Sequence, residues 1–397
     1  MNPLATVRRL AKTYSPTRIL GALRRRKTDW LRAMQYRPDR TTVLANAVLF
    51  ETFQGKTIGD NPLDIYEAVK RARPDLTIYW TVITGKTTAP EGTIGLAHGS
   101  REWLQVLATA KYLVNNTNFP WYFRKVEGQV YLQTWHGTPL KRLGRDIENN
   151  NLTKSYLDTM DREASFWDYL ISPSPFCTQI FPESFGYSGR ILETGYPRND
   201  RLVVQPEGLR EAVRARLGVD AQTTLVMYAP TWRDFKRSAT GNWQTVNYMG
   251  ADTPMPDGTR LMFRGHTNTH AAHTDAVAGG AIDVTTYPDV AELYLAADVL
   301  ITDYSSVMFD FTVTGKPVIF LAPDIARYES ERGFYFDFRN EAPGPMCMTT
   351  DEVLHAMANL DAVRSDYATK YAAWRAKFNS LEDGHAAQRV TDIVFGQ

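Results

Sequence analysis

Short apolar runs with the length and composition of β-strands alternate with helix-like segments along this chain. This alternation constrains the fold more than any other feature of the sequence. In the first half the strand-like runs are residues 43–50, 76–83, 112–115, 130–134, 169–172 and 190–193. Strands that alternate with helices predict a mostly parallel sheet covered by helices on both faces. The first half is therefore predicted to be an α/β domain with a doubly wound sheet.

The segment GYPRND at residues 195–200 interrupts this series, and a second series of strand-like runs follows it. Its members are residues 225–228, 260–263, 282–284, 299–301 and 317–321, whereas residues 235–258 are loop-rich. Two such series in a chain of 397 residues predict two Rossmann-like domains that face each other across a cleft. The expected divisions are a basic N-terminal arm (1–35), an N-terminal domain (36–197), a C-terminal domain (198–382) and a final helix (383–397).

The composition is that of an ordinary globular protein, with 43% hydrophobic and 22% charged residues. Its two cysteines, Cys177 and Cys347, do not require a disulfide framework and fit a reducing cytosol. No apolar run reaches the roughly 18 residues of a membrane span. The N-terminus lacks the uninterrupted apolar core of a signal peptide. We therefore expect the protein to stay inside the cell.

Charge is distributed unevenly along the chain. Residues 1–32 carry nine basic side chains against Asp29 alone, so this arm contributes +8 and the remainder −7 to the net charge of +1. Apolar residues such as Leu10, Ile19 and Leu23 are spaced roughly as one face of a helix. A basic amphipathic segment can lie on an anionic membrane surface, where each Lys or Arg adds roughly 1 kcal/mol. We favour this interpretation over a solvated arm or one that grips nucleic acid.

The stretch YLQTWHGTPLK, residues 131–141, places a histidine just after a predicted strand. In an open α/β sheet, ligands bind outside the carboxyl ends of the strands. His136 at such an end could move protons near neutral pH, and a tight turn at Gly137 would leave room for a substrate. The alternative is structural, because Thr138-Pro139 resembles an N-cap followed by proline at the first helical position.

Polar residues also follow predicted strands in the second half, in YAPTWRD, RGHTNT and ITDYSSVMFDF. These clusters contain Thr231 and Arg233, then Arg264 and His266, then Asp303, Ser305, Ser306 and Asp310. Hydroxyls and backbone N–H groups at a helix start, predicted near Ser305, would bind phosphate. The alternatives are that the serines only cap this helix and that Arg233 pairs with Asp234 at the surface.

The run HTNTHAAH contains three histidines with helix-face spacing, His266, His270 and His273. A zinc site normally needs three or four ligands, and no nearby carboxylate or cysteine completes this set. No metal is therefore predicted. Phosphate-binding groups in one domain and a histidine in the other suit group transfer across a cleft from an activated, phosphate-containing donor.

Six motifs in order give the chain a family resemblance: ETFQGKTIGDNP, QTWHGTPLKRLG, GYPRND, YAPTWRD, RGHTN and ITDYSSVMFDF. Between about residues 43 and 340, the chain resembles the CDP-glycerol glycerophosphotransferases, the teichoic-acid primases and polymerases. The resemblance implies a GT-B fold without a catalytic metal or cofactor, in which the N-terminal domain binds the acceptor and the C-terminal domain the CDP-activated donor. It also implies a peripheral position on the inner face of the cell membrane, where a lipid-linked polymer or disaccharide acceptor lies.

The resemblance also implies roles for individual residues. His136 looks like the general base, and His266 would hold or protonate the pyrophosphate. The remaining positions would bind substrate: Gly137 and Thr138 in the turn, Thr231, Arg233 and Arg264 near the phosphates, Asp303, Ser305 and Ser306 at the predicted helix start, and Asp310 at the ribose or glycerol hydroxyls. Many relatives have proline after the second histidine where this chain has Thr267, which allows that loop a different path.

Other functions remain open from the sequence. Within the same family, ribitol phosphate or a capsule unit could replace glycerol phosphate, and the short chain slightly favours a primase. A different GT-B enzyme would be a glycosyltransferase or epimerase that uses a UDP-sugar, although no carboxylates suited to flank an epimerised sugar are identified. A non-enzymatic scaffold on the membrane is disfavoured because His136, His266, Arg233 and both serines are all present.

Overall fold

Two parallel sheets organise the computed structural model. The described residues are 16–40, 43–148, 154–237, 243–245, 248–249, 253–265 and 280–396. Of the basic arm, these include helix α1 (Pro16–Gln35), while residues 1–15 lie outside the described ranges. Arg32 near the end of α1 donates from Nε to the carbonyl of Gly99 at 3.0 Å, which attaches this end of the helix to the N-terminal domain.

The N-terminal domain contains a seven-stranded, entirely parallel sheet. Its strands are β1 (Ala45–Glu51), β2 (Thr77–Val82), β3 (Ile94–Ala97), β4 (Ala110–Asn115), β5 (Val130–Gln133), β6 (Tyr169–Ser172) and β7 (Arg190–Glu193). Its helices are α2 (Asp60–Ala72), α3 (Arg101–Thr109), α4 (Lys154–Ala164) and α5 (Pro175–Phe185). The spatial order is β3-β2-β1-β4-β5-β6-β7, so the direction of winding reverses between β1 and β4. In a doubly wound sheet the crevice at this reversal is the usual ligand site.

The C-terminal domain repeats the plan with a six-stranded parallel sheet. Its strands, with the separate hairpin β9–β10, are β8 (Thr224–Ala229), β9 (Trp232–Arg237), β10 (Trp243–Thr245), β11 (Thr259–Phe263), β12 (Ile282–Asp283), β13 (Val299–Thr302), β14 (Val318–Leu321) and β15 (Met346–Cys347). The order β12-β11-β8-β13-β14-β15 reverses between β8 and β13. Both sheets therefore have the doubly wound topology predicted from the sequence.

Ten helices among the described residues follow the first sheet. They are α6 (Asp200–Val204), α7 (Leu209–Arg216), α8 (Val290–Ala296), α9 (Val307–Phe311), α10 (Ile325–Arg332), α11 (Phe338–Glu341), α12 (Thr350–Ala358), α13 (Leu360–Asp366), α14 (Ala368–Phe378) and α15 (Ala386–Phe395). The last of them returns to the N-terminal domain, where Val390, Val394 and Phe395 join the hydrophobic cluster on one face of the first sheet. The chain thus crosses between the two domains twice.

Strand residues alternate between two hydrophobic clusters on opposite faces of the first sheet. Leu49, Leu113 and Tyr131 face one cluster, whereas their chain neighbours Val48 and Leu132 face the other. All of these side chains are fully buried. Because helices cover both faces of a parallel sheet, both sets of alternate residues must be apolar. This explains why the strands read as continuous apolar runs in the sequence.

The structure corrects the prediction of a helix beginning at Thr138-Pro139. No helix occupies residues 136–143; this segment has no regular secondary structure and pairs with residues 333–335 of the C-terminal domain through one isolated bridge. Arg142 donates its backbone N–H to the carbonyl of Gly333 at 3.1 Å, and Tyr335 donates to Leu140 at 2.9 Å. These backbone groups are therefore used between the domains instead of within a helical turn.

Candidate active site

A cavity of about 530 Å³ lies between the two domains. It is lined by the segment 135–141 that follows β5 and by the segments after β8, β11 and β13 of the second sheet. The basic side chains in its wall are Lys141, Arg264 and Arg332. Among the described residues, no aspartate or glutamate lines it. A cleft lined by charges of one sign attracts ligands of the opposite sign, so this cavity favours an anionic ligand.

His136 is half-buried in the wall of this cavity, three residues after β5 ends. Its Nδ1 lies 2.8 Å from the backbone carbonyl oxygen of Asn116, which follows β4. A carbonyl can only accept a hydrogen bond, so Nδ1 carries the proton in the neutral ring. Nε2 is then the nitrogen with a lone pair. This tautomer is the one that a general base acting through Nε2 requires.

Aromatic contacts fix the plane of the His136 ring. The ring of Trp135 lies 4.1 Å away between centroids, and that of Phe53 packs edge-on at 5.7 Å. Trp135 has a positive φ of 52°, an uncommon conformation for a residue other than glycine. Its backbone N–H donates to the side-chain oxygen of Gln133 at 2.9 Å, which stabilises the turn. Strained residues of this kind tend to cluster at functional sites.

Burial is the main influence on the charge of His136. Removal from water lowers the pKa of His136 below its usual value of 6.5. Asp60 and the hydrogen bond to Asn116 act in the opposite direction, and Arg198 adds to the lowering. The net result is a ring that stays neutral at neutral pH and is able to accept a proton.

Gly137 contacts the opposite domain. A Cβ at this position would lie 2.9 Å from Oγ of Ser306 and 3.1 Å from its Cβ. The positive φ in this turn belongs to Trp135 and not to Gly137, so glycine is needed here for close approach and not for conformation. Ser306 fills the space on the side where a Cβ would point, while Gly137 also lines the cavity, so room for a substrate beside Gly137 stays a prediction. Thr138, the next residue, is buried in the cavity wall.

The C-terminal domain contributes hydroxyl groups at the reversal of its sheet. Thr231 follows β8, and Ser305 and Ser306 follow β13; all three line the cavity. The helix predicted near Ser305 begins at Val307 as α9 and is only five residues long. The side chain of Ser306 makes no capping hydrogen bond to it. Capping alone therefore does not explain the position of Ser306.

Asp303 has a supporting position beneath this wall. It is buried, and its Oδ1 accepts hydrogen bonds from the backbone N–H groups of Thr231 at 2.8 Å and Tyr304 at 2.6 Å. The carboxylate thus joins the segments after β8 and β13. Arg264 lines the cavity, and its Nη1 donates to the carbonyls of Val284 and Tyr287 at 2.9 and 3.0 Å. These bonds fix its guanidinium in the wall.

Asp310 is hydrogen-bonded to the connection between the two domains. It is buried away from the cavity wall, and its Oδ2 accepts a hydrogen bond from Nη2 of Arg198 at 2.8 Å. Its Oδ1 accepts from the side chain of Asn199 at 3.2 Å. Both carboxylate oxygens thus bind the connection between the domains, and a contact of Asp310 with ribose or glycerol hydroxyls stays a prediction.

Two predicted residues have no described side chain. His266, with the neighbouring His270 and His273, lies outside the described residues. Arg233 belongs to β9, which places its backbone directly after the cavity wall at Thr231, and its side chain is not described. Within the described ranges, no group of three or more His, Cys, Asp or Glu is arranged to hold a metal ion.

Sequence reasoning missed Asn116 and Arg198, which contact His136 most directly. Asn116 stands in LVNNTN at the end of β4, and Arg198 in the GYPRND segment, which served as a break between the domains and as a family motif but gave the arginine no role. A polar residue at the end of a strand next to β5 was the available signal for Asn116. For Arg198 the sequence offered only its place in a motif.

The fold and cavity together define a class of protein. Two doubly wound domains face a basic cleft, with a neutral histidine on one side and hydroxyls and an arginine on the other, and this is the arrangement of a GT-B group-transfer enzyme. The chain belongs to the CDP-glycerol:poly(glycerophosphate) glycerophosphotransferase family, whose model matches residues 33–396. The family and fold predicted from the six motifs are thereby confirmed.

Individual relatives agree with this assignment. The teichoic acid poly(glycerol phosphate) polymerase of Bacillus subtilis (strain 168) is 37% identical over 370 residues, covering 90% of this chain and 49% of the relative. The teichoic acid glycerol-phosphate transferase of Staphylococcus aureus (strain NCTC 8325 / PS 47) is 37% identical over 366 residues, covering 88% and 93%. This chain thus spans about half of the first relative and nearly all of the second.

Solved structures show the same architecture. A structure of the wall teichoic acid polymerase TagF, in a form with a histidine replaced by alanine, superposes with a TM-score of 0.84 at 34% sequence identity. The match covers 98% of this chain and 97% of that one. The similarity therefore extends over both domains and the cleft between them.

Proposed function

We propose that this protein transfers glycerol phosphate from CDP-glycerol to a hydroxyl group of a teichoic-acid-type acceptor and releases CMP. One observation carries this proposal: the Nδ1–H of His136 is held by the carbonyl of Asn116, so Nε2 is the proton acceptor beside a cavity rich in cations. The family description, which names CDP-glycerol and poly(glycerophosphate), supports the choice of donor and acceptor.

The reaction uses His136 as general base. Nε2 takes the proton of the acceptor hydroxyl while that oxygen attacks the β-phosphorus of the donor. The bond between the β-phosphorus and the oxygen that bridges to the α-phosphorus breaks, and the electron pair leaves with CMP. The product is a phosphodiester that retains the β-phosphorus and its glycerol. Phosphoryl transfer of this kind depends mainly on positioning and charge stabilisation.

The opposite wall of the cavity would bind the pyrophosphate. Hydroxyls of Thr231, Ser305 and Ser306 can donate to phosphate oxygens, and Arg264 supplies a fixed positive charge. We extend the same assignment to Arg233 and His266 from the family motifs alone. Lys141 and Arg332, which the sequence did not single out, add to the positive field that an anionic donor meets.

The donor is tested by measuring CMP and UMP or UDP release from the purified protein. CDP-glycerol, CDP-ribitol and a UDP-sugar are each supplied with a membrane-extract acceptor. We expect CMP from CDP-glycerol, with the β-phosphorus recovered in the polymer. Release from CDP-ribitol alone would change the polyol but retain the mechanism. Turnover of only the UDP-sugar would contradict the proposal, and calorimetric titration with CDP-glycerol would show whether the donor site is intact.

The lowered pKa of His136 predicts the acid limb of the pH profile. Only the neutral ring accepts a proton, so kcat/KM falls when the pH drops below the pKa of this group. Since burial lowers that pKa from 6.5, the midpoint of the acid limb should lie below 6.5 and activity should be retained through mildly acidic pH. Rates of CMP release between about pH 5 and pH 8 provide the measurement. An acid limb centred at or above 6.5 would contradict this assignment.

We further propose that the protein works in the cytoplasm at the inner membrane face, on a lipid-linked acceptor. Helix α1 exposes Trp30, Leu31 and Met34, with 57%, 40% and 40% of their surfaces accessible. The exposed cations Arg24, Arg26 and Lys27 precede them on the same helix. Aromatic and aliphatic side chains beside cations suit the interface of an anionic bilayer. No described helix is long and apolar enough to cross a membrane.

Neutralising this part of α1 should weaken membrane binding. Replacing Arg24, Arg26 and Lys27 by glutamine removes three charges, which predicts a loss on the order of 100-fold in affinity for anionic vesicles at low salt. The loss should shrink at high salt, where the attraction is screened. Sedimentation with vesicles of phosphatidylglycerol measures it. The matched control replaces the exposed Arg364, Lys370 and Arg375 of α13 and α14; equal losses in both variants would contradict a specific role of α1.

A further inference from the structure

We propose that Arg198 is a positioning residue that couples the orientation of the His136 base to the docking of the C-terminal domain. Its kinetic consequences rest on the proposed phosphotransfer, whereas its effect on His136 can be measured without turnover. The proposal stands on the contacts of one buried guanidinium that reaches both sides of the cleft.

Arg198 lies in a single helical turn, residues 197–199, in the connection between the two domains. Its Nη1 donates to Oδ1 of Asp60 at 2.6 Å and to the backbone carbonyl of His136 at 3.0 Å, both in the N-terminal domain. Its Nη2 donates to Oδ2 of Asp310 at 2.8 Å in the C-terminal domain. One planar group thus binds both domains, a geometry that suits arginine and that the single ammonium of lysine does not reproduce.

The hydrogen bonds of Arg198, Asp60 and Asn116 form a closed network with His136. Asp60 accepts from Nη1 of Arg198 through Oδ1 and from the side chain of Asn116 through Oδ2, at 2.9 Å. Asn116 in turn accepts from Nδ1 of His136. Arg198 therefore holds the backbone of the histidine directly and its ring through Asp60 and Asn116. Asp60 adopts a positive φ of 59°, an uncommon conformation that the surrounding contacts must maintain.

The far end of the guanidinium binds Asp310 on α9, the helix that follows the wall assigned to the donor. Asp310 belongs to α9, which begins directly after Ser305 and Ser306. Asn199 binds the second oxygen of Asp310, so two consecutive residues of the interdomain connection hold this one carboxylate. A shift of α9 would therefore move Arg198, and with it the carbonyl of His136. The position of α9, which follows the donor wall, is therefore coupled through Arg198 to the position of the base.

The buried charges make the arrangement sensitive to substitution. The side chains of Arg198, Asp60 and Asp310 are only 7%, 10% and 6% exposed. Removing one member of a buried ion pair leaves an uncompensated charge and is strongly destabilising. The charged groups nearest to His136 are Asp60, which raises the pKa of the ring, and Arg198, which lowers it. Lys141, Arg264 and Arg332 line the same cavity as His136.

Three substitutions separate charge from geometry. Arg198→Gln removes the cation, so the pKa of His136 should rise and the acid limb of activity should move to higher pH. Asp60→Asn removes the anion, so both should move to lower pH. Arg198→Lys retains the charge without the bidentate reach; kcat for CMP release should fall on the order of 100-fold while the pKa stays near that of the unaltered protein.

The pKa is read by NMR of the labelled histidine rings, with His136→Ala identifying the resonance among the seven histidines. This readout needs no donor or acceptor. If the protein releases no CMP from any donor, the proposed function fails while the NMR titrations still decide the inference. Because Arg198→Gln leaves two buried carboxylates without their cation, Arg198→Lys and Asp60→Asn carry the test if that variant does not fold.

Arg201 offers a matched control three residues further along the connection. It also bridges the domains, through Asp64 on α2 and Asp289 before α8, but it is not bonded to His136. Arg201→Lys should lower thermal stability while the His136 pKa remains unchanged. The inference is overturned if Arg198→Lys and Arg201→Lys reduce kcat equally, or if Arg198→Gln and Asp60→Asn leave the His136 pKa where it was.

Discussion

Replacing His136 by alanine should reduce CMP release from CDP-glycerol by about 10²–10⁴-fold, the usual contribution of a positioned base. The reason is geometric, because the ring is held by the carbonyl of Asn116 at 2.8 Å with Nε2 left to accept the proton. Donor affinity should change little, because the groups assigned to the pyrophosphate lie on the opposite wall. Steady-state release of CMP and calorimetric titration with CDP-glycerol measure the two quantities separately.

The exposed His355 on α12 provides the control for this substitution. His355→Ala should retain full activity, since it lies on a helix that does not line the cavity. Normal turnover by His136→Ala would remove His136 as the base. Loss of donor binding without folding damage would instead assign the histidine to the donor site, and circular dichroism of both variants excludes a general loss of structure.

The second large effect should come from Gly137→Ala. The added methyl group would lie 2.9 Å from Oγ of Ser306, closer than folded proteins allow, so either Ser306 moves or the domains separate. Movement of Ser306 takes its hydroxyl away from the position assigned to phosphate binding, and separation of the domains takes the donor wall away from the base. A misplacement of about 1 Å can cost on the order of 100-fold in rate. We expect kcat/KM for CDP-glycerol to fall by about that factor.

A double-mutant cycle with Ser306→Gly isolates this contact. Ser306→Gly alone should weaken the donor site by loss of its hydroxyl, but Gly137→Ala should add little further loss in that background because the clashing atoms are gone. The outer strand residue Gly95, where a Cβ would lie 3.2 Å from the side chain of Ala89, serves as the control. Fully additive effects of Gly137→Ala and Ser306→Gly would show that the two residues do not interact.

The strands were largely predictable because each is a short buried apolar run. Residues 169–172 and 190–193 coincide with β6 and β7, and the other predicted strands agree within a few residues. The short edge strands β3 and β15 and the hairpin β9–β10 were missed. Edge and hairpin strands bury less surface, so their sequences lack the continuous apolar character of a central strand.

The site was predictable where local sequence carries the chemistry. His136 and the two serines follow strands and line the cavity. The family resemblance assigns Asp310 to the ribose or glycerol hydroxyls, whereas the structure shows it buried and bonded to the guanidinium of Arg198. The residues next to Asp310 in the sequence do not indicate that Arg198, 112 positions away, is its partner. The assigned roles of the remaining residues stay predictions for the experiments above.

The sequence by itself determined the α/β class, the two doubly wound domains, the family and the strand that delivers His136. These follow from short-range patterns, because apolar periodicity and motif spacing act over neighbouring residues. Only the tertiary structure decided which tautomer His136 adopts, why residue 137 is glycine, and that one arginine joins the base to the donor wall. Those properties arise from contacts between segments at least 20 positions apart, which the pairing of β4 with β5 and the packing of the two domains bring together.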